Sequence, residues 1–109
     1  MPFNRTFFKN GIRVETLQQT LTPVSVAAAT CAEQTFVINP LQPVMQNINP
    51  TDVVEVFWPG SATAVGIVGA RVTALNTIAI TFVNPTLGAL VPTAGVYTII
   101  VWPTKANTP

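Results

Sequence analysis

From about residue 34 onward, apolar side chains recur at every second position, the period of a half-buried strand rather than of a helix. The run "TIAITFV" sets Ile78, Ile80 and Phe82 on one face and Ala79, Thr81 and Val83 on the other. "VYTIIVW" divides in the same way, with Val96, Thr98, Ile100 and Trp102 opposed to Tyr97, Ile99 and Val101. In "DVVEVFW", Val53 and Phe57 share a side with Glu55, while Val54, Val56 and Trp58 take the other. These runs are rich in β-branched and aromatic residues, and turn formers bound each of them. Several have apolar or small residues on both faces, as strands do when a second sheet lies on one side and a neighbouring subunit on the other.

The punctuation between the runs fits that reading. "FVINPLQPVMQNINPTD", with Pro40, Pro43 and Pro50, reads as an irregular connection between two strands. "FWPGSATA" turns at Pro59-Gly60, and "VNPTLGALVPTAG" is a loop held by Pro85, Pro92 and Gly95. "TALN", between "VGIVGARV" and "TIAITF", has the length of a hairpin connection, and Asn76 tolerates the left-handed backbone that a tight turn demands. Gly66 and Gly69 inside a strand pattern predict a bulge or a close backbone approach. No internal repeat, solenoid period or heptad is present.

The first 22 residues read differently. Phe3, Phe7 and Phe8 sit among Asn4, Arg5, Thr6, Lys9 and Asn10, and Gly11 interrupts them. Val14, Leu17 and Leu21 fall at helical spacing, yet "IRVETLQ" also alternates as a strand does, so the pattern leaves both open. The expected architecture is all-β: an antiparallel β-sandwich body over 23–102, preceded by an extended N-terminal arm over 1–22 with one edge strand at most. An exposed C-terminal tail is expected over 103–109.

Length and composition narrow the class. A chain of 109 residues is the size of one domain and long enough to build a core without disulfide or metal staples. Hydrophobic residues make up 49% and charged residues 8%, against about 25% charged in an ordinary globular domain. Such scarcity of charge points to a membrane, a fibre or an assembly. Prolines and glycines break every long uncharged stretch, which argues against a membrane span. The N-terminus has no apolar run of signal-peptide length, so intracellular synthesis is expected. The single cysteine, Cys31, precludes an internal disulfide.

Charge is unevenly placed. Residues 1–15 hold Arg5, Lys9 and Arg13 against Glu15, a net +2, whereas residues 16–102 hold Arg71 against Glu33, Asp52 and Glu55, a net −2. A mildly basic arm on a faintly acidic body predicts surface contacts rather than strong nucleic-acid affinity, which wants many phosphate-neutralising groups.

The chemistry is thin. No histidine is present, which removes Ser-His-Asp and Cys-His machinery and nearly all catalytic zinc sites. Glu33, Asp52 and Glu55 are expected to be solvated rim charges, and "GIVGAR" lacks the context of a phosphate loop. Cys31 reads as a small, partly buried apolar residue, with no basic neighbour to activate it. No catalytic residue, metal or cofactor is expected.

Arg71 is the only charge between Glu55 and Lys105. Its guanidinium must reach solvent, a carboxylate or backbone carbonyls; it reads either as a snorkelling side chain or as a clamp to an acid of another chain. "RTFFKNGIR" mixes aromatic and basic residues as single-strand nucleic-acid binders do, although a stacking platform belongs on a sheet. An arm anchored in a partner's groove accounts for the same residues. The expected contact residues are therefore Phe3, Arg5, Phe7, Phe8, Lys9, Arg13 and Arg71. Trp58, Trp102 and Tyr97 read as packing aromatics, with stacking on sugar as the other use.

The segment "GIVGARVTALNTIAITFVNPTLGALVPTAGVYTIIV" resembles a recurrent β-module of bacteriophage virion proteins, most of all the small capsid-decorating, or cement, type. The shared pattern is a glycine-containing strand ending in "ARV", a hairpin into "ITF", and an Ala-Gly step before a final strand. Here Pro92 precedes Thr93, reversing the order of the family pattern. The likeness covers roughly residues 33–101 and leaves 1–32 without a counterpart. It implies a homo-oligomer, a trimer or dimer, on the capsid exterior, assembled in the host cytoplasm and bridging major capsid protein subunits. A tail, fibre or baseplate module is the alternative within the virion, and a single-stranded nucleic-acid-binding module the alternative outside it.

Overall fold

The computed structural model describes residues 5–9, 12–39, 47–58 and 64–102, and all of their regular structure is β. Seven strands follow in chain order: β1 (Arg5–Lys9), β2 (Ile12–Leu21), β3 (Thr30–Val37), β4 (Val53–Phe57), β5 (Gly66–Ala74), β6 (Thr77–Asn84) and β7 (Gly95–Trp102). They make two antiparallel sheets, one ordered β1-β2-β7-β4 and the other β3-β6-β5.

Strand alternation decides what each sheet buries. Leu17 and Leu21 of β2, Val54 of β4, and Tyr97, Ile99 and Val101 of β7 are buried from the first sheet. Val72 of β5 and Ile78, Ile80 and Phe82 of β6 are buried from the second, in one hydrophobic cluster with them. The expected faces of β4, β6 and β7 are those observed. Trp58 closes the cluster, its ring centroid 5.8 Å from Tyr97 and 6.0 Å from Phe82. Both aromatics are packing residues. Tyr97 is fully buried, and its hydroxyl reaches back to donate a 2.6 Å hydrogen bond to the Thr93 carbonyl.

The N-terminal reading is where structure and pattern part. Ile12–Leu21 lies inside the four-stranded sheet, paired to β1 on one side and to β7 on the other. The alternating reading of "IRVETLQ" is the one realised, and Leu17 and Leu21 sit in the core. The expected division at residue 22 thus falls at the end of a central strand, because Leu17 and Leu21, each two positions from Gln19, bury in the core shared with the opposing sheet. Residues 5–9 run as the edge strand beside it. Phe3, Asn4, Asn10, Gly11 and the tail 103–109 lie outside the described residues, as do Pro40, Pro43 and the Pro59-Gly60 turn.

Turn chemistry behaves as its residues dictate. β5 and β6 form a hairpin through Leu75 and Asn76, with Asn76 at φ 55°. Its side chain accepts a hydrogen bond from the Ile48 amide at 2.7 Å and donates to Asn47 at 3.1 Å, while its backbone carbonyl accepts from the Ile38 amide. One asparagine thereby ties the hairpin to both ends of the connection between β3 and β4. The glycine strand carries its bulge between Ile67 and Gly69. A Cβ at Gly66 would lie 3.3 Å from Val83 Cγ1, a tight approach, whereas Gly69 meets nothing within 4 Å.

The two seams between the sheets differ. Along the β2–β3 side, side-chain amides take the place of a strand. The Gln19 amide donates to the Val37 carbonyl at 2.8 Å and accepts from the Asn39 amide at 2.9 Å, and Gln34 does the same to both backbone groups of Val24. Along the β4–β5 side, the strands belong to different sheets and no ladder joins them. A groove of about 210 Å³ opens there, lined by Val54–Phe57 and by Ile67–Ala70.

Candidate contact faces

The alternation that fills the core leaves an apolar patch on the outer face of β4 and β7, beside Thr16, Gln18 and Thr20 of β2. Its exposed positions include Val53 (53%), Phe57 (48%), Val96 (46%) and Trp102 (39%), with Ile100 half-buried among them. Cross-strand register brings them together: Val53 pairs with Trp102, Phe57 with Thr98, and Ile100 lies between Thr16 and Glu55. Adjacent residues of paired strands stand about 4.5–5.5 Å apart, so these side chains form one surface. Its one charged member among the described side chains is Glu55, which accepts a 3.0 Å hydrogen bond from Trp102 Nε1. That bond ties the indole to the neighbouring strand β4.

The outer face of the three-stranded sheet is mixed, with the exposed Val37 at one end and small or polar residues over the rest. Thr35, Thr77, Thr81 and Val83 line it, together with Glu33 and Arg71. Arg71 on β5 reaches across the central strand to Glu33 on β3, with Nε 2.8 Å from one carboxylate oxygen and Nη2 2.9 Å from the other. The carboxylate that Arg71 reaches is an acid of its own chain. Such a two-pronged contact matches the planar fork of guanidinium to the carboxylate. Arg71, by hydrogen bonding and then by its charge, holds Glu33 below the usual carboxylate range. Ala79 stands between Arg71 and Thr35 in register and is fully buried although it faces outward.

The remaining candidates are dispersed. Asp52 is buried at the start of β4 and accepts from the Asn49 amide at 2.9 Å, a turn-capping role. It is not the solvated rim charge expected, because the Asn-Pro-Thr turn before β4 folds its backbone onto this carboxylate. Glu33, Asp52 and Glu55 each serve a different local contact and do not converge. Cys31 is exposed, contrary to expectation, because it occupies an outward position on the edge strand β3. Among the described residues no three His, Cys, Asp or Glu side chains gather as a metal site requires. No helix among them is long and apolar enough to cross a membrane.

Of the expected contact residues, Arg5, Phe7, Phe8 and Lys9 fall on β1 and Arg13 on β2. The register sets Phe7 beside Val14 and Phe8 beside Arg13, so these residues share one edge of the four-stranded sheet, while Arg71 belongs to the other sheet. Sequence reasoning assigned Trp102 to packing and Glu55 to the rim, and missed their pairing. The signal was present: Val53, Glu55 and Phe57 shared a side that the core could not also claim. No family model, curated protein or solved structure matches the chain.

Proposed function

We propose that the chain is a non-enzymatic structural subunit of a phage virion. In this reading it is a β-sandwich that self-associates as a trimer or dimer, decorates the capsid exterior and bridges major capsid protein subunits. The observation that carries the reading is the apolar outer face built by Val53, Phe57, Val96, Ile100 and Trp102. Contiguous apolar surface on a sheet is costly to leave in water and marks a place where another protein sits. The chain's charge economy supports the same use. Its Arg71–Glu33 pair is neutralised internally, which leaves Glu55, hydrogen-bonded by Trp102, as the one charge of the apolar patch among the described side chains. The absence of histidine from the sequence supports a role without acid–base chemistry.

A cement subunit works by geometry. Each copy adds a modest contact on either side of a joint in the shell, and repetition over many joints sums those contacts into a strong brace. Resistance to internal pressure then needs no catalytic residue and no cofactor.

The test is co-sedimentation of the purified chain with expanded heads that lack decoration. Saturable binding that a Phe57→Asp, Val96→Asp double variant loses supports the reading. Wild-type protein that stays in the supernatant at every concentration overturns it. Binding to tails in place of heads would move the chain to a tail, fibre or baseplate role. A shift of single-stranded oligonucleotide at low salt, lost as salt rises, would favour the nucleic-acid module.

A further inference from the structure

Leu87 is 98% exposed, the most open large apolar side chain among the described residues. One exposed leucine is ordinary on a protein surface. What sets this one apart is that its backbone is fixed. The buried Asn84 side chain accepts from the Thr86 amide and donates to the Gly88 carbonyl, so the residue on either side of Leu87 is tied to it. The Thr86 carbonyl also accepts from the Ala29 amide, and Val26 forms a bridge with Leu90. Fixing a contact residue before binding removes part of the entropy cost of association. No residue from 84 to 95 or from 22 to 30 is charged, so the loop presents Leu87 in neutral surroundings.

The groove between β4 and β5 is the complementary feature. Val54–Phe57 and Ile67–Ala70 line about 210 Å³. A cavity of about 150 Å³ accepts a benzene ring, so this space suits one leucine side chain rather than a further strand. Gly69 forms part of its wall. The backbone there has no positive φ, and a Cβ would meet nothing within 4 Å, so nothing inside the chain requires glycine. The bulge beside it does not require one either, since bulge glycines are those with left-handed backbone. A strand glycine free of both demands marks a place where another group comes close.

We infer that Leu87 of a second copy seats in the β4–β5 groove, and that the first copy returns its own Leu87 to the partner. The inference names the contact behind the self-association proposed above, and rests on that part of the reading. Position favours the exchange. Ile67 pairs with Phe82, two residues before Asn84, so groove and loop lie toward the same end of the three-stranded sheet. Leucines exchanged about a two-fold axis fill both grooves and close the assembly at a dimer. Charge agrees. Glu55 is the one charged residue lining the groove, Trp102 already engages it, and a neutral loop brings no charge to oppose it. Phe57, exposed and lining the groove, joins this contact to the apolar patch of β4 and β7.

The experiment compares the full chain with Leu87→Ser, Gly69→Leu and the double variant by sedimentation velocity. Neither position supports the fold, since Leu87 buries almost nothing and a side chain at 69 has open space. Near-ultraviolet circular dichroism checks that the core of Trp58, Phe82 and Tyr97 is intact in each. Burying one leucine shifts an equilibrium by about tenfold or more, so each single variant should weaken the dimer at least that much. Both substitutions remove the same contact, so the double variant should fall well short of the product of the two effects. A folded single variant that dimerises as the wild type does, or effects that multiply in full, overturns the Leu87 contact and leaves self-association standing. Wild-type chain that stays monomeric at every concentration overturns both.

Discussion

Replacing Asn84 by alanine tests whether the loop before β7 is held by one buried amide. Asn84 ends β6 with its side chain fully buried. Its Nδ2 donates to the Val26 carbonyl at 3.0 Å and to the Gly88 carbonyl at 2.9 Å, and its Oδ1 accepts from the Thr86 amide at 3.0 Å and the Thr86 hydroxyl at 2.7 Å. A net intramolecular hydrogen bond contributes about 1 kcal/mol, and an orphaned buried donor costs about 1–3 kcal/mol. Two losses are softened. The Val26 carbonyl keeps the Leu90 amide, and the single proton of the Thr86 hydroxyl, which can serve either Asn84 Oδ1 or the Gly88 carbonyl, is left to the Gly88 carbonyl. The expected destabilisation is therefore about 2–4 kcal/mol, below the simple sum of four bonds yet a large share of the roughly 5–15 kcal/mol that a domain has. Urea unfolding followed by tryptophan fluorescence measures it, with the slope of the transition unchanged. Asn84→Asp separates hydrogen bonding from volume. Its new carboxylate faces two carbonyl oxygens where the amide donated, so stability falls as pH rises through the carboxyl's range. A loss under about 1 kcal/mol in the alanine variant would refute the reasoning.

Burial pushes the Tyr97 hydroxyl up to about 12. The unfolded chain ionises this group near pH 10, so its contribution to stability is whole below that value and is lost as pH rises from about 10 towards 12. Because Tyr97 is the only tyrosine, Tyr97→Phe should flatten that part of the stability profile, read by urea midpoints at each pH. In Arg71→Met, Glu33 should titrate back toward the ordinary carboxylate range in a carboxyl-resolved NMR titration. In the wild type its depressed value means that the pair stabilises the fold above the unfolded carboxyl pKa and is lost as pH falls through the folded one. An unchanged Glu33 titration in the variant would show that the two-pronged contact does not form in solution.

Much of the fold was legible because period-two patterning has one reading when both faces are anchored. "TIAITF" and "VYTIIVW" divided into the two faces that are observed, and Asn76 announced its turn. The N-terminal strand was harder. "IRVETLQQTL" places Glu15 and Gln19 on the inward face beside Leu17 and Leu21, so local polarity masked a central strand. Only tertiary context separates Gln19 as an edge-sealing amide from Gln19 as a surface residue. Arg71 and Glu33 are 38 positions apart, and their meeting depends on the β3-β6-β5 order, which no local signal encodes. The outer apolar face was half legible. Its positions followed from the alternation, but which face of each strand met the other sheet required the packing of all seven.

Sedimentation velocity of the intact chain over a wide concentration range bears most directly on the claim that its neutral, apolar surfaces are made for other copies. The account predicts a dimer or trimer that grows with concentration and retreats toward monomer in Phe57→Asp, Val96→Asp. A single 11.6 kDa species at every concentration would contradict it.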